Sequence, residues 1–237
     1  MNDSAQQLRL RTNLDTNLLK LIAMASMFID HVGDTFFPDK IFFRICGRMA
    51  FPLFCYCMTV GLMYTRDIKR YLARLAIFAV VSQPFWILCF NANDFMENIF
   101  NLNIFFTLFM NLLTLWAFKE KKWWLVILNI ITLSFINFDY GAEGVILMLI
   151  FYLCRNKPKL GAILYILYYL PYLFGRELGA YFTIAMGHYP IDISFFAVLM
   201  TPLIFLNTNS NLKINKWVYY IFYPAHLLLL YLIQLLR

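Results

Sequence analysis

Charge is scarce in this sequence. Only 14% of its 237 residues are Asp, Glu, Lys or Arg, against about 25% in an ordinary soluble domain. Together with 62% hydrophobic residues and a mean hydropathy of +0.67, this excludes a water-soluble globular domain and leaves an integral membrane protein. Alternation of polar and apolar residues is absent as well. The apolar runs are continuous and about 17–25 residues long, which excludes a β-barrel and fits spanning helices. No small-residue cleavage site follows the first apolar run, which has full span length, so it reads as a retained anchor and not as a signal peptide.

The chemistry motifs that are missing narrow the function. There is no Gly-rich phosphate loop, no Gly-x-Ser-x-Gly elbow and no His-Glu-x-x-His. The fifth position after His31 is Phe36, so a His-x4-Asp glycerolipid acyltransferase is not supported. The five cysteines, Cys46, Cys55, Cys57, Cys89 and Cys154, form no Cys-x-x-Cys pair and no Cys/His spacing for zinc. They read as small apolar residues, with no metal expected. The formal charge of +7 would suggest nucleic acid until it is mapped. The basic residues lie in short loops, so they report topology, and no nucleic-acid partner is expected.

What is present is a succession of nine apolar segments: Leu18–Phe37, Ile41–Tyr64, Tyr71–Phe90, Ile104–Phe118, Trp123–Phe138, Gly144–Cys154, Leu160–Phe174, Ile191–Leu206 and Trp217–Leu236. The predicted fold is all-α, a polytopic helix bundle over residues 18–237, preceded by a polar tail over 1–17. Gly175–Pro190 is of mixed character and reads as interfacial or re-entrant. Lys and Arg concentrate in the tail and after segments two, four, six and eight. The other loops hold only Lys40 and Arg176. Basic loops stay in the cytoplasm, which predicts a cytoplasmic N-terminus and a multi-pass protein with the lipid bilayer as its solvent.

Ionisable residues inside such spans are costly, and they face the bundle interior as functional candidates. Four fall close together. Asp30 and His31 lie roughly 20 Å along the first span, in the outer half of the membrane. Arg44 and Arg48, four apart and on one face, lie at similar depth on the second. Asp34 shares a face with Asp30. A histidine oriented by a carboxylate is a general base, and arginines steady an oxyanion or hold a substrate anion. The same residues would also serve a proton-coupled transporter of an anionic solute, or a purely structural ion-pair cluster in an assembly protein. Asp139 and Glu143, at the outer end of segments five and six, and His226, mid-span in the last segment, are further candidates for the pocket. Ser82-Gln83-Pro84 interrupts the third span, where a proline frees backbone carbonyls. His188 and Asp192 read as surface residues.

At these residues the chain resembles a known family. Met27-Phe28-Ile29-Asp30-His31-Val32-Gly33 and Arg44-Ile45-Cys46-Gly47-Arg48-Met49-Ala50-Phe51-Pro52 are similar to the TraX family, named for the F-pilin acetylation protein. The likeness continues through Lys69-Arg70-Tyr71-Leu72, Ser82-Gln83-Pro84-Phe85, Asn103-Ile104-Phe105-Phe106-Thr107-Leu108, Asp139-Tyr140-Gly141-Ala142-Glu143-Gly144-Val145 and Tyr223-Pro224-Ala225-His226. The resemblance implies a bacterial inner-membrane acetyltransferase that takes acetyl-CoA from the cytoplasm and passes the acyl group to an amine or hydroxyl at the outer side. The acceptor is left open among a protein N-terminus, a sugar and a small molecule. His31 would be the base, Asp30 its orienting carboxylate, and Arg44 and Arg48 the oxyanion or substrate clamps. Arg66, Lys69, Arg70 and Arg74 would hold the CoA phosphates.

Overall fold

The structure is a computed structural model that describes residues 12–174, 183–186 and 189–237. It is mostly helical. In chain order the elements are α1 (Thr16–Phe36), α2 (Ile41–Arg48), α3 (Ala50–Tyr64), α4 (Ile68–Asn91), α5 (Ile104–Lys119), α6 (Trp123–Phe135), α7 (Glu143–Leu153), α8 (Pro158–Tyr169), the strands β1 (Thr183–Met186) and β2 (Tyr189–Asp192), α9 (Thr201–Phe205) and α10 (Lys216–Leu235). A 3-10 turn over Ile193–Met200 leads into α9. Among the described residues, three stretches are long and apolar enough to cross a membrane: Ile41–Tyr64, Ile68–Asp94 and Lys216–Leu235. Shorter apolar helices occupy Ile104–Lys119, Trp123–Phe135, Glu143–Leu153 and Ile193–Phe205.

Local chemistry sets these boundaries. Short polar side chains cap the helix starts by accepting orphan backbone N–H groups. Asp15 accepts from Leu18 N, Asp67 from Arg70 N (3.0 Å), Asn103 from Phe105 N (2.9 Å) and Asn215 from Trp217 N (3.0 Å). The break between α2 and α3 sits at Met49. Pro52 has no N–H to give the Arg48 carbonyl four residues back, and its ring crowds that carbonyl. Of the mixed Gly175–Pro190 stretch, residues 183–186 and 189–192 form an antiparallel hairpin in which Ile184 faces Ile191. Its other residues, with His188, lie outside the described residues. The surface reading of Asp192 is corrected. Its side chain is buried and accepts from Ser194 N at 2.8 Å, capping the 3-10 turn.

The chain divides into two compact units, Met1–Cys57 with Ile150–Lys213, and Met58–Leu149 with Ile214–Arg237. The first is packed around Leu19, Ala23, Leu53, Tyr165, Ile193 and Ile204, all fully buried. Tyr56, Phe151, Tyr165 and Phe205 form a chain of aromatic contacts with centroids 5.3–6.2 Å apart. Residues 12–17 of the polar N-terminal stretch are docked within this unit. Asn13 is fully buried, donates to the Leu203 carbonyl (2.7 Å) and to Thr208 (2.9 Å), and Thr12 bonds the Tyr56 hydroxyl (2.6 Å). The Asp15 carboxylate accepts from Ser210 N (2.7 Å) and Ser210 Oγ (2.9 Å).

In the second unit α4 packs on both α5 and α10. Phe78, Phe105, Tyr220 and Tyr223 cluster there with centroids 4.9–6.4 Å apart. Outward lie Ile77, Val80, Trp124, Ile127, Leu128, Phe135, Leu229 and Leu232, each roughly half exposed or more. So much apolar surface turned outward on successive helices is what lipid contact requires and what water would penalise.

Candidate functional site

The site is built where α1 and α2 cross inside the first unit. Two glycines let the helices approach. A Cβ on Gly33 would overlap the Phe43 side chain, and a Cβ on Gly47 would overlap the Asp30 carboxylate. Ser26 of α1 donates to the Cys46 carbonyl of α2 and adds a polar tie one turn below.

The Asp30 carboxylate, laid against Gly47, sits between two guanidinium groups. Arg44 Nη1 is 3.0 Å from Asp30 Oδ2 and 3.4 Å from Asp34 Oδ1, and Arg48 Nη2 is 3.8 Å from Asp30 Oδ1. The Asp30, Arg44 and Arg48 side chains are only 12%, 13% and 15% exposed, so these are interior pairs, and their attraction is screened far less than at a surface. Two carboxylates meet two guanidinium groups, so the cluster is close to neutral as a whole. That balance lets charged groups be buried at all. Arg44 is gripped by two carboxylates and Arg48 is held at longer range.

His31 follows Asp30 on α1 and is half-buried. Adjacent helical positions point about 100° apart and do not face one another. The carboxylate on Gly47 and the imidazole of His31 therefore leave the helix in different directions.

The remaining candidates belong to the second unit. His226 is buried in α10. Its Nδ1 lies 2.8 Å from the Phe222 carbonyl one turn back, and its ring stacks on Phe222 with centroids 4.8 Å apart. Asp139 and Glu143 are exposed at the turn into α7. Arg66, Lys69 and Arg70 are exposed around the start of α4, and Arg70 pairs with Asp67 at 3.0 Å. Arg74 is half-buried between Tyr71 and Tyr220, its guanidinium 5.7 and 5.9 Å from their ring centroids. Gln83 of the Ser82-Gln83-Pro84 break ties the entrance of α5: it donates to the Asn101 carbonyl (2.7 Å) and accepts from Asn103 Nδ2 (2.7 Å).

Sequence reasoning missed Gly47 and Gly33 as parts of the site. Their signal is spacing: each lies three residues from a charged member of the cluster, Asp30 in one case and Arg44 in the other, on the helical face that has to carry the crossing. The docking of residues 12–17 was missed as well. The matched polar stretches Thr12-Asn13-Leu14-Asp15-Thr16-Asn17 and Asn207-Thr208-Asn209-Ser210-Asn211 could have signalled it.

Comparison with known proteins places the chain in a family. The family model described as TraX protein matches residues 15–234, from the cap of α1 into the last turns of α10. The chain is 31% identical over 229 residues to a protein of Dichelobacter nodosus named "Probable fimbrial assembly protein FimC, serogroup H1", covering 90% of this chain and 92% of that one. It is 24% identical over 144 residues to an uncharacterized protein of Rickettsia prowazekii (strain Madrid E), covering 60% of this chain and 56% of the relative. No solved structure matches. A family match that runs through both the α1–α2 crossing and the last helix settles the relationship: the chain belongs to the TraX family.

Proposed function

We propose that the protein is a multi-pass acetyltransferase of the bacterial cytoplasmic membrane, with nine spans and its N-terminus inside. It would take acetyl-CoA on the cytoplasmic face and deliver the acetyl group to an amine or hydroxyl at the outer face. The observation that carries this reading is the α1–α2 crossing. There Asp30, Arg44 and Arg48 form a largely buried ionic cluster, with Asp34 at its more exposed edge and a histidine next to Asp30 in the chain, within a family linked to pilin assembly and acetylation. Buried ion pairs add little net stability, so retaining them inside an apolar protein points to chemistry.

In the proposed reaction His31 accepts the proton of the acceptor amine or hydroxyl as its nitrogen or oxygen attacks the thioester carbonyl. The new C–N or C–O bond forms and a tetrahedral oxyanion develops. Arg44 and Arg48 stabilise it. The C–S bond then breaks, and CoA leaves as the thiol, its sulfur taking from the His31 imidazolium the proton that His31 had accepted. Asp30 acts on the arginines, fixing Arg44 and restraining Arg48. Arg66, Lys69 and Arg70 would hold the CoA phosphates, since they stand exposed at the end of α4 that basic loops place in the cytoplasm. A fimbrial or pilin-like subunit is the acceptor to test first, because the Dichelobacter relative is named as a fimbrial assembly protein.

The test is release of free CoA thiol from acetyl-CoA by the purified protein in detergent, in the presence of a pilin-like peptide bearing a free N-terminus. Wild type should release thiol, and a folded His31→Ala variant should not. Equal release from both would remove His31 as the base. Absence of acetyl-CoA binding by the wild type would refute the donor assignment.

A further inference from the structure

The second unit contains a polar stripe that the proposed chemistry does not use. On α5, Asn103, Thr107, Asn111 and Thr114 follow at spacings of four, four and three, which puts them within about 80° of one helical face. All four are buried, at 0%, 0%, 0% and 1% exposure. They run about 16 Å along the axis.

The two ends of the stripe are satisfied. Asn103 Nδ2 donates to the Ala79 carbonyl (2.9 Å) and to Gln83 (2.7 Å), and Thr114 Oγ1 donates to the Met110 carbonyl (2.8 Å). The middle is not. Thr107 Oγ1 and both amide atoms of Asn111 are buried without a hydrogen-bond partner among the described residues. Ser82 Oγ on α4 and Asn129 Nδ2 on α6, the two helices packed against α5, are in the same state. Buried polar groups are almost always paired, and unpaired ones inside a membrane protein are more costly still. Leucine or valine would fill these positions with no such penalty.

The stripe also has a direction. Asn103 lies against Ala79 and Gln83, and Phe105 against Phe78, so α4 and α5 run antiparallel. Eleven residues further on, Thr114 comes level with the first turns of α4, where Arg66, Lys69 and Arg70 are exposed. A basic mouth thus leads to neutral amides and hydroxyls. The matching ligand has an anionic head and an uncharged arm bearing amide groups. An Asn side chain offers such an arm both a donor and an acceptor.

We propose that the Thr107–Asn111 face of α5 receives the amide-bearing arm of the acyl-CoA donor while the basic residues at the start of α4 hold its phosphates. This rests on the donor reading above.

The experiment measures binding of CoA and of adenosine 3′,5′-bisphosphate, which is the phosphate-bearing head without the arm, to the full-length protein in detergent. Wild type should bind CoA more tightly than the head alone. Asn111→Leu should weaken CoA binding about tenfold or more, leave head binding unchanged, and melt no lower than wild type. Should Asn111→Leu not fold, the near-isosteric Thr107→Val decides by the same comparison, with a smaller expected loss of about threefold. Unchanged CoA affinity in a folded variant overturns the proposal while the donor reading stands. Wild type that binds neither molecule overturns both. Equal loss of CoA and head binding also overturns it, because the stripe would then be acting on the head and not on the arm.

Discussion

Asp30 and Arg44 should be strongly coupled, and the coupling can be measured without knowing the substrate. Asp30→Asn preserves the volume packed against Gly47 but removes the charge facing both arginines. Arg44→Met preserves length and removes the guanidinium shared by Asp30 and Asp34. With both side chains about one-eighth exposed, removing either partner should destabilise the protein by about 3–5 kcal/mol, because a buried charge loses its compensation. The double variant should fall short of the sum by roughly 1.5–3 kcal/mol, as residues in one ionic network do. The same geometry ranks the arginines. At an effective dielectric of about 20, pairs at 3.0 and 3.8 Å differ by about 1 kcal/mol in Coulomb energy. The coupling of Asp30 to Arg44 should therefore exceed its coupling to Arg48 in matched double-variant cycles. Unfolding by SDS in mixed micelles gives the stabilities. Additive single effects, within about 0.5 kcal/mol, would refute the reading of this cluster as a buried network. So would an Asp30–Arg48 coupling larger than the Asp30–Arg44 one.

Gly47→Ala should lose about 1–3 kcal/mol, because its Cβ has no room beside the Asp30 carboxylate; the same SDS titration checks this, and Gly141→Ala, at a left-handed turn position with open space around it, serves as a contrast in which strain comes from the backbone alone. Asn103→Leu should cost about 1–3 kcal/mol by leaving the Gln83 side chain and the Ala79 carbonyl without their donor, read as a lower melting temperature that Gln83→Leu shares without adding to it fully. Asp15 gives a pH dependence: burial alone pushes its carboxyl up, but bonds from Ser210, Leu18 and Thr208 outweigh this and hold it below the usual carboxylate range. A depressed folded-state value means stability that is present above the unfolded-state pKa of about 4 and is lost as pH falls through the lower folded value. Asp15→Asn should therefore flatten the acid side of the stability profile below about pH 4 and leave the neutral-to-alkaline side with an unchanged slope; an unchanged acid limb would show that the Ser210 bonds do not favour the charged form.

The parts of this structure that the sequence announced are those set by local rules. Continuous apolar runs bounded by Asp, Asn and Pro put many helix ends within a few residues of where they lie: the Ile41–Tyr64 run keeps both its ends although the structure interrupts it at Met49, and Trp217–Leu236 begins one residue after α10 does. The charged cluster was legible for a similar reason. A four-residue spacing places Asp30 with Asp34 and Arg44 with Arg48, and burial of charge in lipid is too costly to be incidental. What spacing could not supply was the direction of a side chain across a helix crossing. The four-residue spacings place Asp30 and the arginines at one depth, but only the structure shows the carboxylate seated on Gly47 and turned toward both guanidinium groups. Non-local pairing stayed hidden likewise. Thr12–Asn17 alone does not say that Asn13 will be fully buried against Leu203 and Thr208, 190 and 195 residues away; only its polar match to Asn207–Asn211 hints at it. A polar stretch beside an apolar helix has two fates, water or a partner, and only the loop that folds back onto it decides. The stripe on α5 marks the limit of both methods. Its spacing was open to view in the sequence, but Thr107 and Asn111 become informative only once the structure shows their polar atoms enclosed without partners. An unpaired amide deep in a lipid-embedded helix is a cost that folding alone gives no reason to keep, so its explanation has to be sought in what the protein binds.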